Sequence, residues 1–447
     1  LSLAMGNVSI DNSIFSFNTG ADEGGVIFNY NSNVRITNSQ FKSNKAKSYG
    51  GAIDNSGVMA IEDSLFDSNQ AYSAGVIDNG GILEILHSNF TNNKATINGG
   101  AIDNNNILNI VGSVFENNVA GSQGGAIIAR KDINIAYSLL FNNQASAGRA
   151  IYANDNNSNL SNNWWGSNDS DFEDLININV CDDFTWIVMA FKSISPLMQY
   201  ENADIAVSFD EVKNKNDSIS EIANPENLPN FNVILSTGDI LVVENGSGSK
   251  SVYVPKVSSI TSRFNNQAIT LSVALNPSKI INNKNVVADY SGKVTFKVRV
   301  VGSNGKVVGQ NEVVLMRISG KTYSVKTDKN GYASKTFSLL PGKYSITTSY
   351  KGFLAKNTIT IKKVLKAKSA TMKKAKKIKY SASLKTSKGK PISGKKITFK
   401  IKGKTYTAKT NKKGIATVKF KNLKVGKYNV TVKYLKSMVK TILQVKK

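Results

Sequence analysis

The sequence predicts an all-β protein, a right-handed parallel β-helix followed by two or three antiparallel β-sandwich modules. Three observations lead to this prediction. Two short motifs recur in phase about every 25 residues through the first third of the 447-residue chain. A longer block near the C-terminus occurs twice, 83 or 84 residues apart. Neither region shows apolar residues at the three- and four-residue spacing of an amphipathic helix.

The first region, residues 1–153, is built from alternating Gly-Gly-Ala-Ile-Asp-Asn and Phe-x-x-Asn motifs. An isoleucine precedes the Phe position by five residues in every copy, and a serine precedes it by two. Columns of constant chemistry predict that each copy is one coil stacked on the last, with like side chains about 4.8 Å apart. The Phe position is occupied by Phe15, Phe41, Phe66, Phe90, Phe115 and, in the sixth copy, Leu140.

The chain enters this pattern in the middle of a coil, so we expect further coils upstream of Leu1. The paired motifs resemble the polymorphic outer-membrane protein repeats of surface autotransporters. They are also similar to repeats in the adhesin-like proteins of methanogenic archaea. This resemblance implies an extracellular protein of the cell surface or cell wall, whose β-helix presents a face to glycans or proteins of another cell or a host.

Residues 154–190 interrupt the repeat with an Asn-, Ser- and Asp-rich stretch that contains two adjacent tryptophans. This stretch and the later Trp186 look like the closing region of the archaeal solenoids. We expect Trp164, Trp165 and Trp186 to cover the apolar end of the last coil. The alternative is a platform on which sugar rings stack against the indoles.

The remainder shows alternating strands and polar turns. The segment Gly320–Gly331 matches Gly403–Gly414, and both contain an Asp-Lys-Asn-Gly or Asn-Lys-Lys-Gly turn suited to a hairpin. These copies resemble the bacterial immunoglobulin-like repeats that form stalks on surface proteins. The predicted modules are 191–276, which is divergent, 277–363 and 364–447.

Charge divides the chain. Residues 1–190 hold 8 basic and 19 acidic residues, a net charge of −11, whereas the remainder holds 49 and 12, a net charge of +37. The module 364–447 contains 27 lysines, no arginine and no acidic residue. Such an excess predicts contact with an anionic cell-wall polymer, or otherwise a solvated, solubilising surface. The lack of arginine and of a base-reading motif argues against specific nucleic-acid binding.

Several chemistries are excluded by counting. One cysteine, Cys181, rules out an internal disulfide and is interpreted as an unpaired core or interface thiol. One histidine, His87, rules out multi-histidine metal centres. We therefore predict no cofactor and no metal. No run of about 18 apolar residues exists, so no membrane span is expected in this chain.

The strongest candidates for chemistry are Asp54, Asp78 and Asp103, which occupy one column of three successive coils. Stacked carboxylates repel, which raises a pKa and suits acid–base catalysis. The same column could bind Ca²⁺ through its oxygen atoms. Because each aspartate precedes a turn asparagine, the simplest interpretation is a turn or solvent-facing carboxylate.

Three tyrosines complete the candidate ligand-binding set. Tyr49 and Tyr72 lie just before their glycine motifs, where a ligand could stack, and Tyr152 continues the aspartate column. We predict a non-enzymatic adhesin-like protein. The alternative is a β-helix polysaccharide lyase or hydrolase with accessory binding modules, but a glycosidase needs two carboxylates across a cleft, and no insertion between coils forms one.

Overall fold

The computed structural model describes residues 1–20, 22–154, 158–177 and 183–447, so the interpretation of Cys181 lies outside the described residues. The chain forms two compact units, Leu1–Ala274 and Leu275–Lys447. Within the described residues, no helix has both the length and the apolar character needed to cross a membrane.

The first unit begins with a parallel β-solenoid of four sheets, which contain seven, six, six and five short strands, and a coil contributes at most one strand to each sheet. The first sheet contains Ser2–Ala4, Ile27–Tyr30, Ile53–Asn55, Ile77–Asn79, Ile102–Asn104, Ile127–Ala129 and Ile151–Ala153. The second contains Asn7–Asp11, Asn33–Thr37, Val58–Glu62, Ile82–Leu86, Ile107–Val111 and Ile133–Ala136. The third contains Ile14–Ser16, Gln40–Lys42, Leu65–Asp67, Asn89–Thr91, Val114–Glu116 and Leu139–Phe141. The fourth contains Thr19–Gly20, Lys45–Ala46, Gln70–Ala71, Lys94–Ala95 and Val119–Ala120.

Phenylalanines stack along the solenoid core and confirm the predicted parallel coils. Phe66 pairs in register with Phe41 on one side and Phe90 on the other. The ring centroids of successive phenylalanines from Phe15 to Phe115 lie 4.7–4.9 Å apart with nearly parallel planes. This spacing matches the distance between neighbouring strands, so one residue per coil forms a continuous apolar column.

An asparagine column beside the phenylalanines satisfies the buried turn backbone. Oδ1 of Asn93 accepts hydrogen bonds from the backbone and side-chain nitrogens of Asn69, at 2.9 and 3.1 Å. Nδ2 of Asn93 donates to Oδ1 of Asn118 and to the carbonyl of Phe66, both at 2.9 Å. Each amide thus links three coils. A second buried asparagine column runs through Asn29, Asn55, Asn79 and Asn104.

The solenoid ends against aromatic side chains. Trp165 and Trp186 join its apolar core, and Trp164 packs with the sandwich that follows. A short helix, Phe172–Ile176, packs beside them. The three indoles are at most 6% exposed. The expected cover over the last coil is therefore present, whereas an open sugar-stacking platform is not.

Two four-stranded antiparallel sheets follow and complete the first unit. One contains Thr185–Ser193, Asn202–Asn214, Ile219–Glu221 and Ser247–Tyr253. The other contains Phe231–Leu235, Ile240–Val243, Ser259–Phe264 and Gln267–Ser272, and a 3₁₀ turn spans Pro225–Asn227. The strand Thr185–Ser193 runs across the predicted boundary between residues 190 and 191. Its side chains alternate between two cores, because Ile187, Met189 and Phe191 pack in the sandwich, whereas Trp186 and Val188 pack in the solenoid.

The second unit contains two sandwiches of identical strand order. The first has a three-stranded sheet of Lys279–Ile281, Val294–Val301 and Tyr332–Phe337, and a five-stranded sheet of Val286–Asp289, Val313–Ile318, Lys321–Lys326, Gly342–Tyr350 and Phe353–Lys362. The second repeats this with Leu365–Lys366, Lys377–Leu384 and Ile415–Lys421, and with Ala370–Lys373, Lys396–Ile401, Lys404–Lys409, Gly426–Tyr434 and Ser437–Lys446. The sequence repeat is therefore a structural repeat.

The two sandwiches of the second unit contact each other directly. The rings of Tyr290 and Tyr434 meet edge to face with centroids 6.2 Å apart, and the Tyr290 hydroxyl accepts a hydrogen bond from the backbone nitrogen of Lys436 at 3.1 Å. The carboxylate of Asp289 accepts another from the backbone nitrogen of Ser387 at 2.8 Å. Because these contacts combine apolar packing with directional bonds, they restrain the angle between the two modules.

We predict that Asn93→Ala lowers the free energy of unfolding of the first unit by roughly 2–4 kcal/mol, since it leaves buried donors and a carbonyl without partners. Asn109→Ala removes the same side chain from an exposed strand position and serves as the control, with an expected change below about 0.5 kcal/mol. Denaturant unfolding measures both. Equal losses in the two variants would contradict a stabilising role for the asparagine column.

Candidate binding face of the solenoid

The first sheet aligns the three candidate aspartates. Asp54, Asp78 and Asp103 are directly paired across parallel strands. In each strand the preceding isoleucine enters the core, so the aspartate lies on the opposite, outer face of the sheet. The column continues through Ile128 to Tyr152.

The chain segment before each strand folds back over this outer face. Gly50 adopts a left-handed φ of +61°, and a Cβ there would lie 2.1 Å from the carbonyl oxygen of Ile53. This close approach requires glycine. The returning segments form their own column of parallel bridges, which includes Glu23, Tyr49 and Ser73.

The aspartates therefore lie largely beneath the returning segments. Asp54 is 8% exposed and Asp103 is 4% exposed, while Asp78 is partly buried. The expectation of turn or solvent-facing carboxylates is wrong for Asp54 and Asp103. Each aspartate belongs to a strand that a neighbouring segment covers.

Burial and nearby negative charges raise the pKa values of two of these carboxyl groups. Desolvation, reinforced by the charges of Asp103, Asp54 and Glu23, raises the pKa of Asp78 to about 7, although Arg130 acts in the opposite direction. Desolvation and the charge of Glu23 raise the pKa of Asp54 to about 6. Near neutral pH the carboxyl groups of Asp54 and Asp78 are therefore partly protonated.

Asp103 is held differently. Nε and Nη2 of Arg130 each donate a hydrogen bond to its carboxylate at 3.1 Å, and Oγ of Ser73 donates another at 3.1 Å. Bonding to Asp103 in turn raises the pKa of Arg130. This fork-like pairing compensates a buried charge and fixes the carboxylate in place.

The tyrosines do not form one column. Tyr49 pairs with Ser73, so Tyr72 is one residue out of register with Tyr49. Both rings remain accessible, with exposed fractions of 43% and 51%. Tyr152 is partly buried and lies two coils beyond Asp103. The structure thus buries Asp54 and Asp103 and exposes the rings of Tyr49 and Tyr72, whereas Asp78 and Tyr152 are both partly buried.

The sequence pattern did not indicate three residues that interact with the aspartate column: Glu23, Ser73 and Arg130. Arg130 forms no basic column, but it follows Asp103 by 27 residues, one coil plus two positions, which places it diagonally across the neighbouring strand. Ser73 precedes its glycine motif at the position that Tyr49 occupies one coil earlier. Over the described residues, no group of three or more His, Cys, Asp or Glu side chains is arranged to hold a metal ion.

Comparison with protein families matches two parts of the chain. Residues 362–443 match the bacterial Ig-like domain (group 1), and residues 87–105 and 112–130 match the Chlamydia polymorphic membrane protein repeat. Both are adhesin or structural types rather than enzymes. These matches and the solenoid support a surface adhesin-like repeat protein, but they do not support an archaeal origin.

Among solved structures, the titin I9–I11 tandem is 11% identical, with a TM-score of 0.29, and the match covers 57% of this chain and 99% of that chain. The Ca²⁺-stabilized adhesin with which an Antarctic bacterium binds ice is 14% identical, with a TM-score of 0.18 and coverage of 58% and 74%. The D0–D1 domain of intimin is 20% identical, with a TM-score of 0.17 and coverage of 36% and 95%. At these TM-scores the likenesses carry no argument. No curated protein matches the sequence.

The raised pKa of Asp78 predicts a pH-dependent stability. A carboxyl group whose pKa is higher in the folded chain stabilises the fold below its ordinary pKa of about 3.8 and loses this contribution as pH rises through about 7. Asp78→Asn removes the charge and is expected to stabilise the first unit at pH 8.5 by on the order of 1–3 kcal/mol. Thermal unfolding at pH 4 and pH 8.5 measures the difference, which shrinks at pH 4.

Asp67→Asn is the matched control, for which we expect the opposite change in the free energy of unfolding. Burial acts to raise the pKa of Asp67, but hydrogen bonds from Asn92, Thr91 and Ser68 outweigh it and lower the pKa. Asp67→Asn therefore destabilises the unit at pH 8.5. If Asp78→Asn also destabilised the unit at pH 8.5, the charged carboxylate of Asp78 would not lower the free energy of unfolding as we predict.

Proposed function

We propose that the protein is a non-enzymatic, extracellular adhesin whose solenoid binds glycans or proteins on another cell or host surface. The observation that carries this proposal is that Asp54 and Asp103 are buried, whereas the rings of Tyr49 and Tyr72 are exposed. A catalytic carboxylate must reach its substrate within hydrogen-bond distance. Asp103 is buried and bound by Arg130 and Ser73, whereas Tyr49 and Tyr72 are open to a partner.

Exposed aromatic rings suit a glycan partner. A tyrosine offers a large apolar face to the CH groups of a sugar and a hydroxyl at its edge, at a small cost in side-chain entropy. The repeated coils of the solenoid supply a long, regular support for such rings.

The immunoglobulin-like modules act as a stalk and as the contact with the cell wall. The contacts of Tyr290 with Tyr434 and Lys436 make two consecutive modules a restrained pair, as a spacer requires. Among the described residues, no acidic group pairs with a lysine of 364–447. An anionic wall polymer supplies the missing charge.

A polysaccharide hydrolase or lyase is the second candidate. The observation that favours it is the pair Asp54 and Asp78, whose pKa values lie near 6 and 7, as those of a general acid and base would. Both belong to the column that the returning segments cover. An enzyme would therefore need this face to open.

The test uses the full chain with a panel of acidic and neutral polysaccharides and isolated cell walls, and measures both retained protein and newly formed sugar ends. We expect retention without new ends. Tyr49→Ala/Tyr72→Ala should weaken retention on the bound glycan about fivefold or more. Tyr253→Ala, an equally exposed tyrosine of the neighbouring sandwich, is the control and should change little.

New sugar ends that disappear in Asp54→Asn/Asp78→Asn would establish the enzyme instead. Retention that is lost equally in the Tyr253→Ala control would remove the proposed role of Tyr49 and Tyr72. Absence of retention on every polysaccharide and wall would contradict both glycan binding by the solenoid and the proposed wall contact.

A further inference from the structure

Lysines stand directly opposite one another on the three-stranded sheet of the last module. Lys377 pairs with Lys421 and Lys379 pairs with Lys419 across the antiparallel strands, and all four side chains are exposed. Directly opposed Cβ atoms lie about 4.5–5.5 Å apart, and alternate residues on a strand lie about 6.7 Å apart. The four lysine side chains therefore project from neighbouring positions on the same face of the sheet.

This arrangement works against folding. Like charges directly opposite each other destabilise a sheet. The module contains no acidic residue, and among the described residues none of its 27 lysines forms an ion pair. Nothing within the module offsets the repulsion between the two pairs.

The preceding module shows that the fold does not require these lysines. Its equivalent sheet pairs Val294 with Phe337 and Thr295 with Thr336, where the last module pairs Ile378 with Phe420 and Lys379 with Lys419. The hydroxyls of Thr295 and Thr336 hydrogen-bond at 2.8 Å. The same fold thus has a neutral, hydrogen-bonded threonine pair in the preceding module and a repelling lysine pair in the last module. This difference points to an anionic partner outside the chain that neutralises the lysines.

A hollow of about 400 Å³ lies beside Lys379, one of the four opposed lysines. Its polar lining includes Lys366, Lys368, Lys379, Ser381 and Ser383. Lys366 pairs with Ser383 on the same face of the sheet as Lys379. Cationic and hydroxyl donors therefore continue along this face in one line, a donor set suited to an extended chain of oxyanions.

We propose that the lysine face, formed by Lys366, Lys377, Lys379, Lys419 and Lys421, binds an extended phosphate polymer. The proposal deepens the wall contact and rests on that proposed function. Lysine binds phosphate oxygens as a compact point charge, and this module contains 27 lysines and no arginine. Stacking with nucleic-acid bases is disfavoured, because the aromatic ring of the central strand, Tyr380, is 1% exposed.

The experiment measures binding of the full chain to inorganic polyphosphate over a salt series. The variant Lys379→Thr/Lys419→Thr installs the pair of the preceding module. We expect about tenfold weaker binding near 0.05 M salt and a log–log salt slope smaller by about 1.4, for two lost contacts with a flexible polyanion. The melting temperature of this variant should rise, because the repulsion is gone.

The matched control is Lys396→Thr/Lys409→Thr, which removes another directly opposed lysine pair of the same module from its five-stranded sheet. Both variants lose the same charge, so weaker binding specific to Lys379→Thr/Lys419→Thr supports the lysine face. Equal weakening in both would overturn it in favour of diffuse attraction and would leave the wall contact standing.

Two further measurements separate the remaining outcomes. Equally tight binding of single-stranded DNA of matched charge would overturn the assignment to a phosphate polymer of the wall. Failure of the unmodified chain to bind isolated walls at low salt, with polyphosphate binding intact, would contradict the proposed wall contact rather than the lysine face.

Discussion

The stacking of identical side chains from coil to coil is the interaction on which the solenoid depends. A parallel strand buries backbone groups at every turn, and each needs a partner within the neighbouring coil. The Asn69–Asn93–Asn118 column supplies these partners, and the phenylalanine column beside it fills the core at the same spacing. A coil that lost either residue would leave an unpaired group or a cavity between two intact neighbours.

The same stacking gives the outer face its electrostatic character. Since every coil repeats the same backbone path, Asp54, Asp78 and Asp103 are forced into contact distance whether or not their charges favour it. The returning glycine segments then exclude water. Raised pKa values and the bond from Arg130 to Asp103 are the physical response to this constraint. The alignment of the three aspartates therefore follows from the repeated fold alone and does not by itself indicate a binding or catalytic site.

The sequence predicted what depends on period and composition: the coils, the phenylalanine and asparagine columns, the tryptophan cover and the repeated sandwich. It did not predict burial of Asp54 and Asp103, since that depends on how the segment before each strand folds back. It did not predict the hydrogen bonds from Arg130 to Asp103, because aligning the repeats in columns shows only the residues directly opposite each other and not diagonal neighbours. The opposed lysines, such as Lys379 and Lys419, became visible only with the strand register.

Hydrogen exchange of backbone amides tests the central claim, that coil-to-coil stacking makes the solenoid one cooperative structure. The amides of Asn69, Asn93 and Asn118 each donate to an asparagine side chain in the next coil. If stacking makes the solenoid cooperative, these amides exchange only through cooperative unfolding, with one common free energy of opening that denaturant lowers equally at all three positions. Separate exchange of these amides through local openings, as fast as that of exposed turn residues, would contradict it.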